Sequence, residues 1–402
     1  MTSMLTRKEV HSKMGKWYGY RRPDGQVGCR NYTLILSATV YANSTVERVA
    51  NTIYGAIPIT HHLGRCQTKS DLKMTFDVLC GMAKNPNVGG VVIVDHFRED
   101  LCNIDEMAEE ISKSGKLIET VNIRDVGGAI NGTAEATRKA MYMTRELSTY
   151  QREEVDISEF LFGLNCGTSD TTSGIASNPA LGFCSDRIVK EGGRSILAEF
   201  PELMGAEPWL KAKAINEEVA RKIDSEIDAY EQRIYATGED IRGSQPTGDN
   251  IAGGISTIEE KSLGGAKKSG SAPIQDVIGY ARIPGKAPGV YMMNTPGHGA
   301  ESITGIAAAG SQLMVFSTGG GHTISHPIMP TIKITGNINS WQRMNDTVDL
   351  DLSGILAGTM SLEEAGDVIY NEVVATLNGK MTKADILLER TGFAIHRVGL
   401  SI

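Results

Sequence analysis

Thr33-Leu34-Ile35-Leu36-Ser37 is a short, largely apolar run, and the amphipathic stretch Ser44 to Ile53 follows it. The pairing recurs as Val91 to Val94 before Ile104 to Ser114, and again as Leu117 to Ile123 before Ala134 to Leu147. Short strand-like runs alternating with helix-length segments predict parallel βαβ units. Asn85-Pro86-Asn87 and Gly127-Gly128 supply turns between them. The charged segment Ser148 to Asp156 reads as the boundary of a first α/β domain, residues 1–150.

A second series starts at Phe160-Leu161-Phe162 and continues through Ser195 to Glu199, Gly289 to Met293, Leu313 to Ser317 and Thr331 to Thr335. It predicts a second α/β domain over residues 151–402, so the expected fold class is α/β with two mainly parallel sheets. Glu207 to Thr237 alternates in charge and reads as a solvated surface helix. Gly238 to Ala272 is rich in Gly and Ser. It reads either as a plain linker or, because it carries Ile258-Glu259-Glu260-Lys261, as part of a site.

At 402 residues the chain exceeds what one core usually organises. With 41% hydrophobic and 22% charged residues it has the composition of a globular protein. No apolar run approaches the roughly 20 residues needed to span a bilayer, and Met1 to Trp17 is too polar for a signal-peptide core, so cytoplasmic residence is expected. The six cysteines include no CxxC pair, which speaks against a zinc ribbon or a disulfide framework. A formal charge of −8 without a basic cluster argues against nucleic-acid binding.

The chemistry-bearing residues sit just after the predicted strands, where parallel sheets bind ligands. Asn165-Cys166-Gly167-Thr168-Ser169-Asp170-Thr171-Thr172-Ser173-Gly174 follows the strand at Phe160 to Leu164; its hydroxyls and backbone N–H groups suit an anion, although an ordinary capped turn would look the same. Asn178-Pro179 then reads as the start of a helix. In the first domain Thr60-His61-His62-Leu63-Gly64-Arg65-Cys66 occupies the corresponding place. Imidazole and thiolate ligate iron or zinc, and Arg65 pairs with anions. Glu199, at a strand's carboxyl end, and Glu202 just beyond it are carboxylates placed to hold a cation or move a proton; Glu260 and Lys261 form a candidate acid/base couple. His298 and His322 lie in glycine-rich loops that let backbone approach a ligand. The chain has no GxxxxGK[ST] loop and no GxGxxG opening a helix, which disfavours nucleotide chemistry.

Several phrases taken in order resemble the altronate/galactarate dehydratase family over nearly the whole chain. They are Tyr20-Arg21-Arg22-Pro23-Asp24-Gly25 with Gly28 and Arg30-Asn31, Asn85-Pro86-Asn87-Val88, Cys166-Gly167 with Ser169-Asp170 and Ser173-Gly174, Asn178-Pro179, and Thr257-Ile258-Glu259-Glu260-Lys261. The resemblance implies a lyase that uses ferrous iron or another divalent metal. Single-chain members carry an N-terminal SAF-type domain that this sequence lacks, which implies a separate small SAF-type subunit and a hetero-oligomer. By the same comparison His61, not His62, is the matching histidine, giving His61, Cys166 and Glu199 as expected metal ligands. Lys261, Glu260 and Glu202 are the expected proton-handling groups. Arg65, Ser169, Asp170, Thr171, Thr172, Ser173, His298 and His322 are expected to contact substrate.

Sugar-acid members of the family show a cysteine where this chain has Arg65. Ser169-Asp170-Thr171-Thr172-Ser173-Gly174 and Ser244-Gln245-Pro246-Thr247 look closer to members that cleave (2R)-sulfolactate, whereas Asp95 to Cys102 fits neither group. The expected reaction is β-elimination from a small 2-hydroxy acid to give a 2-keto acid, with sulfolactate giving pyruvate and sulfite. Dehydration of an altronate- or galactarate-type sugar acid is the alternative, and a scaffold role beside a catalytic small subunit is a third reading.

Overall fold

The computed structural model describes residues 15–98 and 102–402. Most of Met1 to Trp17 and part of Asp95 to Cys102 therefore lie outside the described residues. β1 (Lys16–Arg21) and β2 (Val27–Gly28) pair antiparallel. β3 (Tyr32–Ser37), β4 (Ala56–Ile59), β5 (Val88–Asp95) and β6 (Leu117–Asn122) form a wholly parallel sheet in the order β4-β3-β5-β6. β7 (Glu153–Asp156) returns to flank β1, antiparallel to it.

β8 (Leu161–Gly167), β9 (Arg194–Leu197), β10 (Ile274–Ile278), β11 (Gly289–Met293), β12 (Leu313–Thr318), β13 (Thr331–Thr335) and β14 (Leu350–Asp351) make the second sheet. Its order is β10-β11-β9-β8-β12-β13-β14, and every pairing is parallel.

Strand side chains alternate between faces, and the apolar residues follow that alternation. In the first sheet Ile35, Val92 and Val94 pack under helices Asn43–Asn51 and Ala129–Leu147, while Leu34, Leu36, Val91 and Ile93 meet helices Lys69–Lys84 and Ile104–Ser112. In the second sheet Phe162, Leu164 and Val315 face helices Asn178–Lys190 and Leu362–Leu377. Met293, Met314 and Phe316 face helix Gly299–Ala308.

Helices Lys69–Lys84 and Gly299–Ala308 join the two sheets in one apolar cluster. They lie close enough that a Cβ on Gly81 would stand 2.6 Å from the Ala308 carbonyl oxygen. Asn85 Nδ2 donates to the Ala307 and Ser311 carbonyls at 2.7 and 2.9 Å, which ties the two helix C-termini together. Each helix runs back from the carboxyl end of its preceding strand, so both sheets present their carboxyl ends to the same side. Among the described residues no helix is long and apolar enough to cross a membrane.

Candidate active site

The β8–β9 register pairs Leu164 with Leu197, and two residues further on it brings Cys166 beside Glu199. Glu199 holds a left-handed backbone, φ 71°, and Thr168 after β8 holds φ 50°. Such conformations are unfavourable for residues with a Cβ and persist where the surroundings enforce them, often at functional sites. For Glu199 the enforcing contact comes from the β11 end, where Thr295 Oγ1 accepts its N–H at 2.8 Å. The Glu199 carboxylate then turns back to accept the Cys166 N–H at 3.2 Å. A short 3₁₀ turn, Phe200–Glu202, carries Glu202 into the same space, where the Cys166 thiol donates to Glu202 Oε2 at 3.1 Å.

Two lysines close the group. Lys268, fully buried, follows helix Ile258–Ala266, and its ammonium lies 2.7 Å from Cys166 Sγ and 3.3 Å from Glu199 Oε2. Lys261 Nζ pairs with Glu202 Oε1 at 3.1 Å and donates to Gln245 Oε1 at 2.7 Å. Burial, followed by the Glu202 charge, pushes Glu199 up to about 8. Burial alone would raise Glu202 too, but Lys261 and Lys268 outweigh it and hold that carboxyl below its ordinary value. The pair therefore ionises at Glu202, and Glu199 keeps its proton. Burial also pushes the Cys166 thiol up. Lys268 is held charged above its ordinary range, since Cys166, Glu199 and Glu202 outweigh its desolvation. One ligand atom from each of Cys166, Glu199 and Glu202 lies within 4.8 Å of the others, so the group could hold a metal ion. A thiol with two carboxylates is a donor set suited to a borderline divalent ion.

Lys261 also lines an adjoining cleft of about 270 Å³, together with Ser169, Asp170, Ile175, Asn178 and Lys267. A small acid fits such a volume, and Lys261 is the side chain shared by the cleft and the buried group.

The structure distributes the sequence candidates unevenly. It brings Cys166, Glu199, Glu202 and Lys261 together. It does not bring His61 to them: the imidazole is engaged at Nε2 with the Ser37 carbonyl at 2.8 Å and at Nδ1 with the Leu63 N–H at 3.1 Å. No ring lone pair is left for a metal, so Glu202 replaces His61 in the ligand set considered below. Glu260 does not couple to Lys261 either, because its carboxylate caps Ser256, accepting its N–H at 2.8 Å and its hydroxyl at 2.6 Å.

In the loop after β8 the polar groups mostly bind one another. Asp170 Oδ1 accepts from Ser173 N and Thr172 Oγ1, Ser173 Oγ donates to the Asp170 carbonyl, and Thr171 Oγ1 donates to the Gly253 carbonyl. Asp170 thus acts as the helix cap. Helical backbone begins at Thr171, passes through a π-helix at Ser173–Ser177 and continues as Asn178–Lys190, so Asn178-Pro179 lies inside a continuous helical run and does not start it. Ser169 Oγ is the hydroxyl facing Cys166 Sγ, at 3.9 Å.

His322 packs edge-on against Phe316 with ring centroids 5.4 Å apart and abuts Gly167; its Nδ1 accepts the Ile324 N–H. His298 is exposed beside Glu301. Arg65 lies in the loop after β4 of the first sheet, stacked on Phe97 at 4.1 Å, and is not among the residues lining the Lys261 cleft. Lys268 is not among the residues expected from the sequence, and Gln245 enters there only within the phrase Ser244-Gln245-Pro246-Thr247, without a role at the site.

The model of the D-galactarate/altronate dehydratase C-terminal region matches residues 157–401. The chain belongs to the D-galactarate/altronate dehydratase family. The second-domain model of D-galactarate dehydratase/altronate hydrolase matches residues 19–148. Among relatives of this dehydratase-family chain, (2R)-sulfolactate sulfo-lyase subunit beta of Chromohalobacter salexigens is 36% identical, over 92% of this chain and 95% of its own length. Altronate dehydratase of Bacillus subtilis is 31% identical over 84% of this chain and 69% of its own. Galactarate dehydratase (L-threo-forming) of Escherichia coli is 27% identical over 90% and 72%. These dehydratase-family relatives are lyases, and so is this chain.

His61 and His326 carry one further consequence. Burial pushes the first ring down to about 4 and the second to about 3 from an ordinary 6.5. In the unfolded chain both protonate near the ordinary value, so below it the unfolded state binds more protons. The stability tied to these rings is present above pH ~6.5 and is lost as pH falls toward the folded values, at about 1.4 kcal/mol per pH unit for each. Denaturant unfolding is expected to show a lower midpoint at pH 5 than at pH 7, with a shallower dependence in His326→Gln. An unchanged slope in that variant would remove the ring from the account.

Proposed function

We propose that the chain is the large subunit of a metal-dependent lyase that cleaves (2R)-sulfolactate to pyruvate and sulfite. The observation that carries the proposal is the convergence of Cys166, Glu199 and Glu202 on one point, with Lys261 linking that point to the substrate-sized cleft. The donors fit a divalent ion, and burial holds the Glu199 carboxyl above its ordinary value. Cys166, Glu199 and Glu202 would hold it, with ferrous iron the ion proposed. Such an ion supplies Lewis-acid stabilisation of the negative charge that develops beside the substrate carboxylate.

The chain's own groups handle the proton and the leaving group. Lys261 Nζ, positioned by Gln245 and freed of its own proton by transfer to Glu202 Oε1 at 3.1 Å, is the amine that takes the proton from the carbon bearing the carboxylate and the hydroxyl. The C–H electron pair becomes the new C2=C3 bond, the C3–S bond breaks, and sulfite departs with its electron pair. The resulting enol tautomerises to pyruvate. Sulfite leaves as a stable anion and needs cationic binding more than a general acid; Lys267 on the cleft wall supplies that charge. The near full-length similarity to the sulfo-lyase subunit supports this substrate over a sugar acid. That relative's designation as a subunit supports a small partner here, which we propose is of SAF type and needed for full turnover.

The test is a substrate screen of the iron-loaded protein, with and without the partner, scored for 2-keto acid and for sulfite. Sulfite from sulfolactate is the expected result. Keto-acid formation from altronate or galactarate without sulfite would give the dehydratase reading in its place.

A further inference from the structure

On the wall of the Lys261 cleft Asn178 carries a buried polar atom that nothing in the fold satisfies. The residue is 2% exposed, and its Oδ1 accepts no hydrogen bond among the described residues. Buried amide oxygens are nearly always paired, and an unpaired one costs stability that a bound donor would restore. The neighbouring helix decides which end of the amide is left. Gly264 presents a carbonyl, which can only accept, so Asn178 Nδ2 donates to it at 3.0 Å and Oδ1 is the end without a partner.

Gly264 lies one turn beyond Lys261 on helix Ile258–Ala266, so the helix that carries the amine also holds the amide. Close approach makes this contact possible: a Cβ on Gly264 would stand 3.1 Å from the Gly174 Cα, and both glycines line the cleft. Asn178 follows directly on the π-helix Ser173–Ser177. A π-turn inserts a residue into the helical ladder and re-aims the side chains around it, a feature frequent at functional sites. The carboxylates of the same wall are engaged elsewhere. Asp170 accepts from Thr172, Ser173 and Asn337, and Glu260 accepts from Ser256.

We propose that Asn178 Oδ1 accepts the hydrogen bond of the substrate's 2-hydroxyl and thereby selects 2-hydroxy acids over acids that lack this group. The inference rests on the lyase reading above, in which the carbon that gives its proton to Lys261 also bears the hydroxyl. A hydroxyl donates to the amide oxygen, whereas a hydrogen in its place leaves that oxygen unpaired. The 2-keto product presents a carbonyl there, a second acceptor facing the first, so the same atom that holds the substrate favours release of the product.

The test is calorimetric titration of metal-loaded Lys261→Met protein, in which turnover is suppressed, with (2R)-sulfolactate and with 3-sulfopropionate, which lacks the hydroxyl. With Asn178 intact the hydroxy acid should bind about 10- to 100-fold more tightly. Adding Asn178→Leu should bring sulfolactate down to the level of 3-sulfopropionate and leave the affinity of the latter unchanged, whereas a general loss of packing would weaken both alike. The first comparison needs no substitution at Asn178, so it stands even if that variant does not fold. Equal affinities with Asn178 intact, or a preference kept in folded Asn178→Leu protein, would overturn the proposal and leave the lyase reading in place. Failure of both acids to bind would overturn the two together.

Discussion

Cys166→Ala is expected to reduce bound divalent metal from about one equivalent per chain to a small fraction of that, and to lower kcat roughly 10³-fold or more. The argument is local. Cys166 touches Glu199, Glu202 and Lys268: its thiol donates to Glu202, its N–H to Glu199, and its sulfur accepts from Lys268. Removing the sulfur deletes one of three ligand atoms and leaves the Lys268 charge with Glu199 as its remaining partner within hydrogen-bond distance. Cys166→Ser should bind metal weakly, because a hydroxyl at neutral pH is a poor anionic ligand. Elemental analysis of anaerobically purified protein checks the metal, and circular dichroism checks the fold. Native metal content in a folded Cys166→Ala protein would remove this residue from the ligand set.

Lys261→Met should behave differently. Its ammonium lies at the border between the cleft and the buried group, and methionine keeps the length of the stem without the proton-carrying nitrogen. Loss of a positioned proton acceptor is expected to lower kcat about 10²- to 10⁴-fold, while metal content stays near the native value. Lys261→Arg should not restore turnover, since guanidinium keeps its proton at any working pH. The most specific readout is exchange of the substrate's C2 proton with solvent deuterium, which should vanish in both variants. Persistent exchange in Lys261→Met would assign proton removal to another group.

The sequence shows the central strands clearly and the edges poorly. Val91 to Val94 and Leu313 to Ser317 stand out because strands buried on both faces are continuous apolar runs. β7 escapes notice because Glu153-Glu154-Val155-Asp156 buries one residue and is charged elsewhere, so it reads as a boundary. β10, at the sheet edge, is hard to see because Ile274-Gln275-Asp276-Val277-Ile278 is short and carries two polar residues near its centre. The helix expected to start at Asn178 begins earlier because Asp170 caps it, a contact that depends on the loop's three-dimensional course.

The candidate site is legible where residue type and strand position coincide, as at Cys166, Glu199 and Glu202. Lys268 is invisible by that criterion. Beside Lys267 in a glycine-rich stretch it looks solvated, and only the packing of helix Ile258–Ala266, where Gly264 comes against Gly174, drives it fully under the surface. His61 illustrates the opposite error, since a histidine in the right place had already used both ring nitrogens to hold its own loop.

The most direct measurement is the product ratio of the iron-loaded protein, with the proposed small partner added, acting on (2R)-sulfolactate. Pyruvate and sulfite should appear together in equal amounts, and both should disappear in Lys261→Met. Absence of sulfite from a metal-replete native protein that dehydrates altronate or galactarate would contradict the account.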